Sequence, residues 1–216
     1  MPSLTPIALD IETTGLDHES TITVIGFAHE TGEWIACNTG GRSVDRDRLQ
    51  SELSPRSAGR LEIVLADSEP GVLESMATFV RERIDDDRHY ITGFNGETWN
   101  GGFDLPFLRT AFARHRLAWP FEDIAYGDVQ SVLDRFGGFD AADLETVHGI
   151  LFNETPQDPF ESSAQAIPAY TDGDWRALLE HNLLDIQRTR AIAALAGQYV
   201  PRSDFKLKNL GPPDRG

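Results

Sequence analysis

The chain has 216 residues, of which 40% are hydrophobic and 25% are charged. This balance is typical of a globular protein and excludes a fibrous or disordered one, and the length suits a single domain. Acidic side chains outnumber basic ones by 35 to 19, which gives a formal net charge of −16. That charge excludes a generic basic nucleic-acid-binding module, because no long-range field would attract a polyanion.

Lysine is almost absent from the sequence, since Lys206 and Lys208 are the only two lysines among the 19 basic residues. An acidic surface with so little lysine indicates adaptation to concentrated salt. There the Debye length falls to a few Å and self-repulsion is screened. We therefore expect a halophilic protein.

Cysteine usage and the start of the sequence favour a cytoplasmic location. Cys37 is the only cysteine, which excludes an intramolecular disulfide and a CxxC redox pair. The sequence begins MPSLTP and reaches an acid at Asp10, so it lacks the basic and apolar parts of a signal peptide. No apolar run approaches the roughly 20 residues of a membrane-spanning helix. We expect no membrane partner.

Hydrophobic patterns predict strands in the first part of the chain and helices in the second. Short β-branched and apolar runs predict strands at 7–11, 21–29, 33–38, 61–66 and 90–94. Helical spacing predicts helices at 69–84, 104–116, 128–136, 141–152 and 173–196, the last with an N-cap at 171–172. Residues 39–60 lack a sustained period and are interpreted as an exposed loop or insertion, 156–170 as irregular, and 201–216 as a flexible C-terminal tail. With no repeat and no clear linker, the sequence predicts one α/β domain over residues 1–200.

Asp10 and Glu12 stand two residues apart in the first predicted strand. Side chains alternate along a strand, so both carboxylates project to one face while Ile11 points to the other. Two acids this close in an apolar strand repel each other, unless a cation neutralises them or the strand end lets them reach solvent. Oxygen ligands of this kind suit Mg²⁺ or Mn²⁺.

Two later segments also carry acids that suit a site. Asp104 starts a predicted helix after a glycine-rich turn, where it could equally be a simple N-cap. His181 and Asp185 are four residues apart on the last predicted helix and therefore share a face. A surface acid with a neighbouring histidine is the alternative for that pair.

Taken in order, these three segments resemble the motifs of the DEDD superfamily of 3′→5′ exonucleases, which has the ribonuclease H-like fold. The resemblance covers about residues 4–198 and is greatest to the proofreading exonuclease domain of family B DNA polymerases. LDIETTGL, at 9–16, is similar to the first motif, and Asn95 together with FDLPFL, at 103–108, is similar to the second. The helix around Asp185 is similar to the third. There the chain departs from the family, which has a tyrosine four residues before the last aspartate or a histidine five before it. Here His181 stands four before Asp185.

The resemblance implies a mixed β-sheet flanked by helices and a hydrolase that uses two divalent ions, Mg²⁺ or Mn²⁺. Asp10 would bridge both ions. Glu12 and Asp185 would complete one ion's site, and Asp104 would hold the other ion through water. His181 would be the general base, since a neutral imidazole accepts a proton near pH 7, whereas a tyrosine mostly orients water. The product would be a 5′-mononucleotide.

The resemblance also implies contacts to the terminal nucleotide from residues near the first two motifs, namely Thr13, Leu16, Asn95 and Phe103. Core packing is the alternative for Leu16 and Phe103. Arg109 and Arg188 follow motif acids on their helices and could face the phosphodiester. Solvated helix faces are the alternative for both arginines.

The substrate implied by the resemblance is single-stranded DNA or a frayed DNA 3′ end. RNA is the alternative, because carboxylates do not distinguish the sugars and recognition of the 2′-OH depends on other contacts. A catalytically silent module that binds nucleic acid or a polymerase is the alternative from another class. No polymerase domain is recognisable, so a role in proofreading or DNA repair would need a partner in trans.

Overall fold

The part of the chain that the structure describes forms a seven-stranded sheet. The computed structural model describes residues 4–17, 19–97, 102–133, 135–139, 143–154 and 157–212. Within them the strands are β1 (Thr5–Thr13), β2 (Ile22–His29), β3 (Gly32–Asn38), β4 (Arg60–Ala66), β5 (His89–Thr92), β6 (Ala125–Tyr126) and β7 (Lys208–Asn209). They form one mixed sheet in the order β4-β3-β2-β1-β5-β6-β7.

β1 lies at the centre of the sheet. It pairs antiparallel with β2, which pairs antiparallel with β3, and it pairs parallel with β5 on its other side. β4 and β6 extend the two sides by parallel pairing, and β7 closes one edge antiparallel to β6. The α/β prediction with a mixed sheet is confirmed, and this arrangement is consistent with a ribonuclease H-like fold.

Helices cover both faces of the sheet. The described residues form α1 (Arg46–Leu53), α2 (Glu69–Arg83), α3 (Asp104–His115), α4 (Gln130–Leu133), α5 (Leu144–Phe152), α6 (Ala166–Asp172) and α7 (Trp175–Tyr199). Apolar side chains of α2 and α3 pack with Ile7, Leu9 and Ile11 on one face of β1. Those of α1, α6 and α7 pack with Ala8 on the other face. Because side chains alternate along a strand, the face of β1 that carries Ala8 also directs Asp10 toward α7.

The segment 39–60 differs from its prediction as an exposed loop, because it contains α1. The Asp45 carboxylate caps this helix by accepting from the main-chain N–H of Arg48 at 2.9 Å. Leu49 and Leu53, four residues apart, are buried against the side of the sheet that α7 covers. A short helix anchored by two leucines leaves too few apolar positions for its period to show in the sequence.

The chain around α6 also differs from its prediction. Residues 166–172, within the segment interpreted as irregular, form α6, and Gly173 ends that helix with φ of +79°. The N-cap of α7 is Asp174, whose carboxylate accepts from the N–H of Ala177 at 3.2 Å. The predicted cap at 171–172 therefore belongs to the end of α6.

The predicted flexible tail contributes a strand. Residues 208–209 pair with β6, Leu210 is buried, and its carbonyl accepts from the indole N–H of Trp119 at 3.0 Å. This pairing involves only two residues, which is too short a pattern to predict from the sequence. Residues 213–216 and the predicted helical positions 134, 141 and 142 lie outside the described residues.

Among the described residues, no helix combines the length and the apolar character that crossing a bilayer requires.

Candidate metal centre

Helix α7 approaches β1 and β2 closely at a single glycine. Gly26 of β2 stands opposite Asp10 of β1 in the sheet. A Cβ atom at Gly26 would lie only 2.1 Å from Oδ1 of Asn182, so no other residue type leaves room for α7 at this point. The Asn182 side chain donates to Oδ2 of Asp10 at 2.8 Å. The motif strand and the motif helix are thereby held together by a direct hydrogen bond.

Three predicted site residues meet where β1 faces α7. His181 and Asp185 lie one turn apart on α7, with Nε2 of His181 3.6 Å from Oδ2 of Asp185. The same Nε2 is 3.7 Å from Oε1 of Glu12. One ligand atom from each of the three lies within 4.8 Å of the others. The fold therefore brings the first and third motif segments together at these three residues.

Asp104 enters the same region from α3. It is the first residue of the helix, and the N-cap position is taken by Phe103, whose side chain makes no capping hydrogen bond. Asp104 is therefore not the simple N-cap that the sequence left open. The charge of Asp104 repels those of Asp10 and Glu12, and the charge of Asp185 repels that of Asp104. The acid of the second motif therefore lies close enough to interact with those of the other two motifs. We call Asp10, Glu12, Asp104 and Asp185 the acidic cluster.

Burial raises the pKa of every member of the acidic cluster, and for Asp10, Glu12 and Asp104 repulsion from other members adds to the effect. Burial and the charges of Asp104 and Asp185 raise the pKa of Asp10 well above its ordinary value. Burial and the other members of the cluster act on Glu12 in the same way. For Asp104, burial together with the charges of Asp128 and Asp185 raises the pKa to about 8. Burial also raises the pKa of Asp185, but the charges of His181 and Arg188 partly offset this effect.

These properties match the requirements of divalent cations. Four carboxyl groups that are costly to ionise together become favourable ligands once a positive ion neutralises them. Carboxylate oxygens suit hard ions such as Mg²⁺ and Mn²⁺, and a histidine nitrogen is also compatible with Mn²⁺. The donor set therefore fits the divalent metal that the sequence predicts.

The imidazole of His181 is held from the side opposite the acidic cluster. Its Nδ1 is hydrogen-bonded to Oδ1 of Asp158 at 2.9 Å, and the ring packs against Phe160 at a centroid distance of 5.0 Å. Its Nε2 is buried and has no hydrogen-bond partner among the described residues. Burial alone would lower the pKa of His181, but the Asp158 hydrogen bond and the charge of Asp185 outweigh it and raise that pKa. Despite its unusual spacing in the third motif, His181 lies at the cluster.

Arg188 differs from its prediction as a phosphate contact. Its side chain is only 3% exposed, so the guanidinium presents no surface to a substrate. One nitrogen donates to Oδ2 of Asp158 at 2.7 Å and to Oδ1 of Asp185 at 2.9 Å. Arg188 is turned inward because three carboxylates, including Glu145 at 3.7 Å, surround it.

Arg109 also has a protein partner. It forms a 2.6 Å ion pair with Glu97, which is buried, and its contact with a phosphodiester stays a prediction. Phe103 packs against Phe107 at a centroid distance of 4.9 Å and lies against the core of the sheet. Phe103 is only partly buried, so its contact with a substrate stays a prediction beside this packing.

Leu16, Thr13 and Asn95 have different surroundings. Leu16 is 81% exposed in the turn after β1, which rules out the core-packing alternative for this residue. The hydroxyl of Thr13 donates to the carbonyl of Gly15 at 2.7 Å and shapes that turn. Asn95 adopts a left-handed backbone with φ of 59°, and its main-chain N–H donates to Oδ1 of Asp128 at 2.9 Å. Contact of these three residues with a substrate stays a prediction.

Sequence reasoning missed three residues that support the site: Asn182, Asp128 and Asp158. Asn182 lies inside the third motif, and a polar residue within an apolar helical stretch was the available signal. Asp128 holds the loop before α3 by accepting from the main-chain N–H groups of Asn95 and Gly96, each at 2.9 Å. Asp158 lies in a segment without periodicity, so no sequence pattern marks it as a supporting residue.

Comparison with known proteins adds no relative. No protein-family model matches the chain, and no curated protein matches it. The fold and the geometry of the site, together with the resemblance of the three motifs, therefore provide the basis for a functional proposal.

Proposed function

We propose that this protein is a metal-dependent 3′→5′ exonuclease that removes 5′-mononucleotides from single-stranded DNA or frayed DNA 3′ ends. The observation that carries the proposal is the convergence of three distant motif segments on the acidic cluster with His181 beside it. The mixed sheet with β1 at its centre is consistent with the fold that the resemblance implies. The direction of cleavage and the preference for DNA rest on that resemblance, whereas the cytoplasmic location of such an enzyme is proposed from the cysteine usage of the chain.

Each residue of the site has a role in this proposal. The acidic cluster would hold two divalent ions, Mg²⁺ or Mn²⁺. When bound, such ions supply Lewis-acid chemistry, which makes water a stronger acid and stabilises negative charge on phosphate oxygens. Nε2 of His181 would accept the proton of the attacking water, since it faces Glu12 and Asp185 at 3.7 and 3.6 Å. Exposed Leu16 would contact the terminal base.

A nuclease assay with isosteric variants tests the proposal. The purified protein is incubated in molar KCl with 5′-labelled DNA and RNA oligonucleotides of one sequence, with Mg²⁺, Mn²⁺ or EDTA. We expect stepwise shortening of the DNA that requires a divalent ion. Asp10→Asn should lower the rate at least about 100-fold, beyond the usual loss for residues that only support metal ligands. His181→Gln should lower it by roughly 10²–10⁴-fold, as expected for a general base.

Asp172→Asn is the matched control, because Asp172 is exposed and the substitution makes the same change in charge. Asp10→Asn also relieves repulsion within the cluster, and its amide oxygen can still accept from Asn182. Loss of activity in this variant therefore reports lost chemistry instead of lost folding. Undiminished cleavage by Asp10→Asn would overturn the proposal.

The same assay addresses the two alternatives. Shortening of RNA in preference to DNA would make the protein an exoribonuclease. Binding of either oligonucleotide with no shortening under any metal condition would support a catalytically silent module that acts with a polymerase or repair partner.

A further inference from the structure

Asp158 makes two charged contacts with α7, although it lies in the chain between α5 and α6. Its side chain is 5% exposed. Oδ1 is 2.9 Å from Nδ1 of His181, and Oδ2 accepts from Arg188 at 2.7 Å. Because the pKa of Asp158 is held at about 2, with burial opposed by its hydrogen bonds to His181, Phe160 and Arg188, the side chain is ionised near neutral pH.

The charge of Asp158 determines which nitrogen of His181 carries hydrogen. An ionised carboxylate only accepts hydrogen bonds, so Nδ1 of His181 must be the donor at 2.9 Å. A neutral imidazole has one N–H and one lone pair, which places the lone pair on Nε2. Nε2 is the atom that faces Glu12 and Asp185 and lacks a hydrogen-bond partner among the described residues. In its neutral form, the ring thus presents an acceptor to the acidic cluster.

Arg188 fixes the orientation of Asp158 in turn. One guanidinium nitrogen of Arg188 donates to Oδ2 of Asp158 at 2.7 Å and also to Oδ1 of Asp185 at 2.9 Å. Since arginine has donors and no acceptor, it requires an oxygen at that position of residue 158. The second oxygen of Asp158 is thereby directed at His181.

We propose that Asp158 is a positioning residue that fixes His181 in the tautomer with hydrogen on Nδ1 and keeps the Nε2 lone pair directed at the acidic cluster. Its effect on hydrolysis rests on the proposed nuclease function, whereas its effect on the tautomer does not. An acceptor at Nε2 is required whether His181 takes a proton from water or ligates a metal.

Asp158→Asn separates positioning from simple packing. Because Arg188 still requires an oxygen, the new side chain must present its amide oxygen to Arg188 and its NH₂ group to His181. Nδ1 would then have to accept, and the hydrogen would move to Nε2. A comparable change from aspartate to asparagine reverses the histidine tautomer in a serine-protease triad.

Nitrogen-15 NMR of the imidazole rings measures the tautomer directly in the metal-free protein. Spectra are recorded at a pH where His181 is neutral, and its signals are assigned by their absence in His181→Gln. We expect hydrogen on Nδ1 in the unsubstituted protein and in Asp172→Asn, and hydrogen on Nε2 in Asp158→Asn. Hydrogen on Nε2 in the unsubstituted protein would overturn the proposal without reference to any variant.

Kinetics on the oligonucleotide substrate test the consequence for catalysis. Asp158→Asn should lower kcat on the order of 10²-fold and leave KM nearly unchanged. The substitution alters the general base His181 and leaves the contacts with the substrate as they are. Asp158→Glu, which keeps a carboxylate, should recover part of that loss. A reversed tautomer with unchanged kcat would refute the catalytic role of Asp158. If the unsubstituted protein and Asp172→Asn show no hydrolysis while the tautomer reverses as expected, the nuclease function fails and the positioning role stands.

Discussion

Each carboxyl group of the acidic cluster binds a proton more readily in the folded chain than in the unfolded one, because burial disfavours its charge. For Asp10, Glu12 and Asp104, repulsion from other members of the cluster adds to this effect. The folded state therefore binds more protons than the unfolded state between the two sets of pKa values. Under that condition the free energy of unfolding falls as pH rises. For Asp104 the interval runs from the ordinary value of 3.8 to about 8. His181, whose pKa is also raised, contributes stability that is likewise lost as pH rises through its folded pKa.

Asp104→Asn should flatten this pH dependence in the absence of divalent ions. The amide cannot ionise, so the variant should unfold at a higher temperature than the unsubstituted protein at pH 8 in EDTA, and the difference should shrink steadily as the pH falls toward 3.8. A gain of about 1 kcal/mol would correspond to roughly 2–4 °C for a chain of this size. Thermal unfolding followed by circular dichroism across this pH range measures the difference.

The sign of this effect should reverse when Mn²⁺ is added. A cation that binds only the folded state raises the stability of the unsubstituted protein, and Asp104→Asn loses part of that gain. If the unfolding temperatures of the two proteins in EDTA changed equally with pH, that result would contradict the raised pKa of Asp104. An equal response to Mn²⁺ would exclude Asp104 as a ligand.

At the residue scale, the sequence predicted the ligands better than their supports. The sequence marks the four acids of the acidic cluster because a carboxylate in an apolar strand or helix is unfavourable unless a partner neutralises it. Asp158 does not stand out, since it is separated from His181 by 23 positions and lies in a segment without periodicity. Arg188 was mispredicted for a related reason, because a solvated helix face and a buried charge network give the same residue type in the sequence.

At the element scale, the site depends on how closely α7 approaches the sheet at Gly26. An added methyl group there would meet Oδ1 of Asn182 at 2.1 Å and the side chain of Ile186 at 3.1 Å. We expect Gly26→Ala to shift α7, to weaken the hydrogen bond between Asn182 and Asp10, and to cost about 1–3 kcal/mol, as overpacking usually does. Chemical denaturation measures the cost in free energy of unfolding, and the proposed metal-dependent activity should fall with it.

Gly197→Ala is the matched control on the same helix. Nothing lies within 4 Å of a Cβ atom at this exposed position, so alanine should stabilise α7 by roughly 0.5–1 kcal/mol. A lower free energy of unfolding for Gly26→Ala together with a higher one for Gly197→Ala would support the close approach of α7 at Gly26. Full stability of Gly26→Ala would show that α7 does not need this contact.

Long elements with a strong period were predictable, and short ones were not. The central strands and α7 carry many apolar positions at the spacing of their element, so the sequence located them within a few residues. α1 is anchored by Leu49 and Leu53 alone, and β7 gains its place from pairing with β6. Tertiary contacts, absent from any local window of sequence, create such elements.

At the scale of the whole molecule, the net charge of −16 is a cost that salt can remove. Like charges lie closer together on a compact surface than in an expanded unfolded chain, so their mutual repulsion opposes folding. At low ionic strength the Debye length is about 30 Å at 0.01 M and covers the whole protein, whereas at 1 M it is about 3 Å. If repulsion between surface charges destabilises the folded protein, the free energy of unfolding should therefore rise steeply with added salt.

A charge-altering variant distinguishes this screening from the general effect of salt on apolar burial. Asp86 and Asp87 are exposed, and both follow the C-terminal end of α2, where the helix dipole disfavours acids. Asp86→Lys combined with Asp87→Lys should raise the unfolding temperature in dilute buffer with EDTA and should depend less on KCl. Asp86→Glu combined with Asp87→Glu keeps the charge and should follow the unsubstituted protein at every KCl concentration. Parallel salt curves for all three proteins would mean that apolar burial, strengthened by salt, and not charge screening, accounts for the dependence.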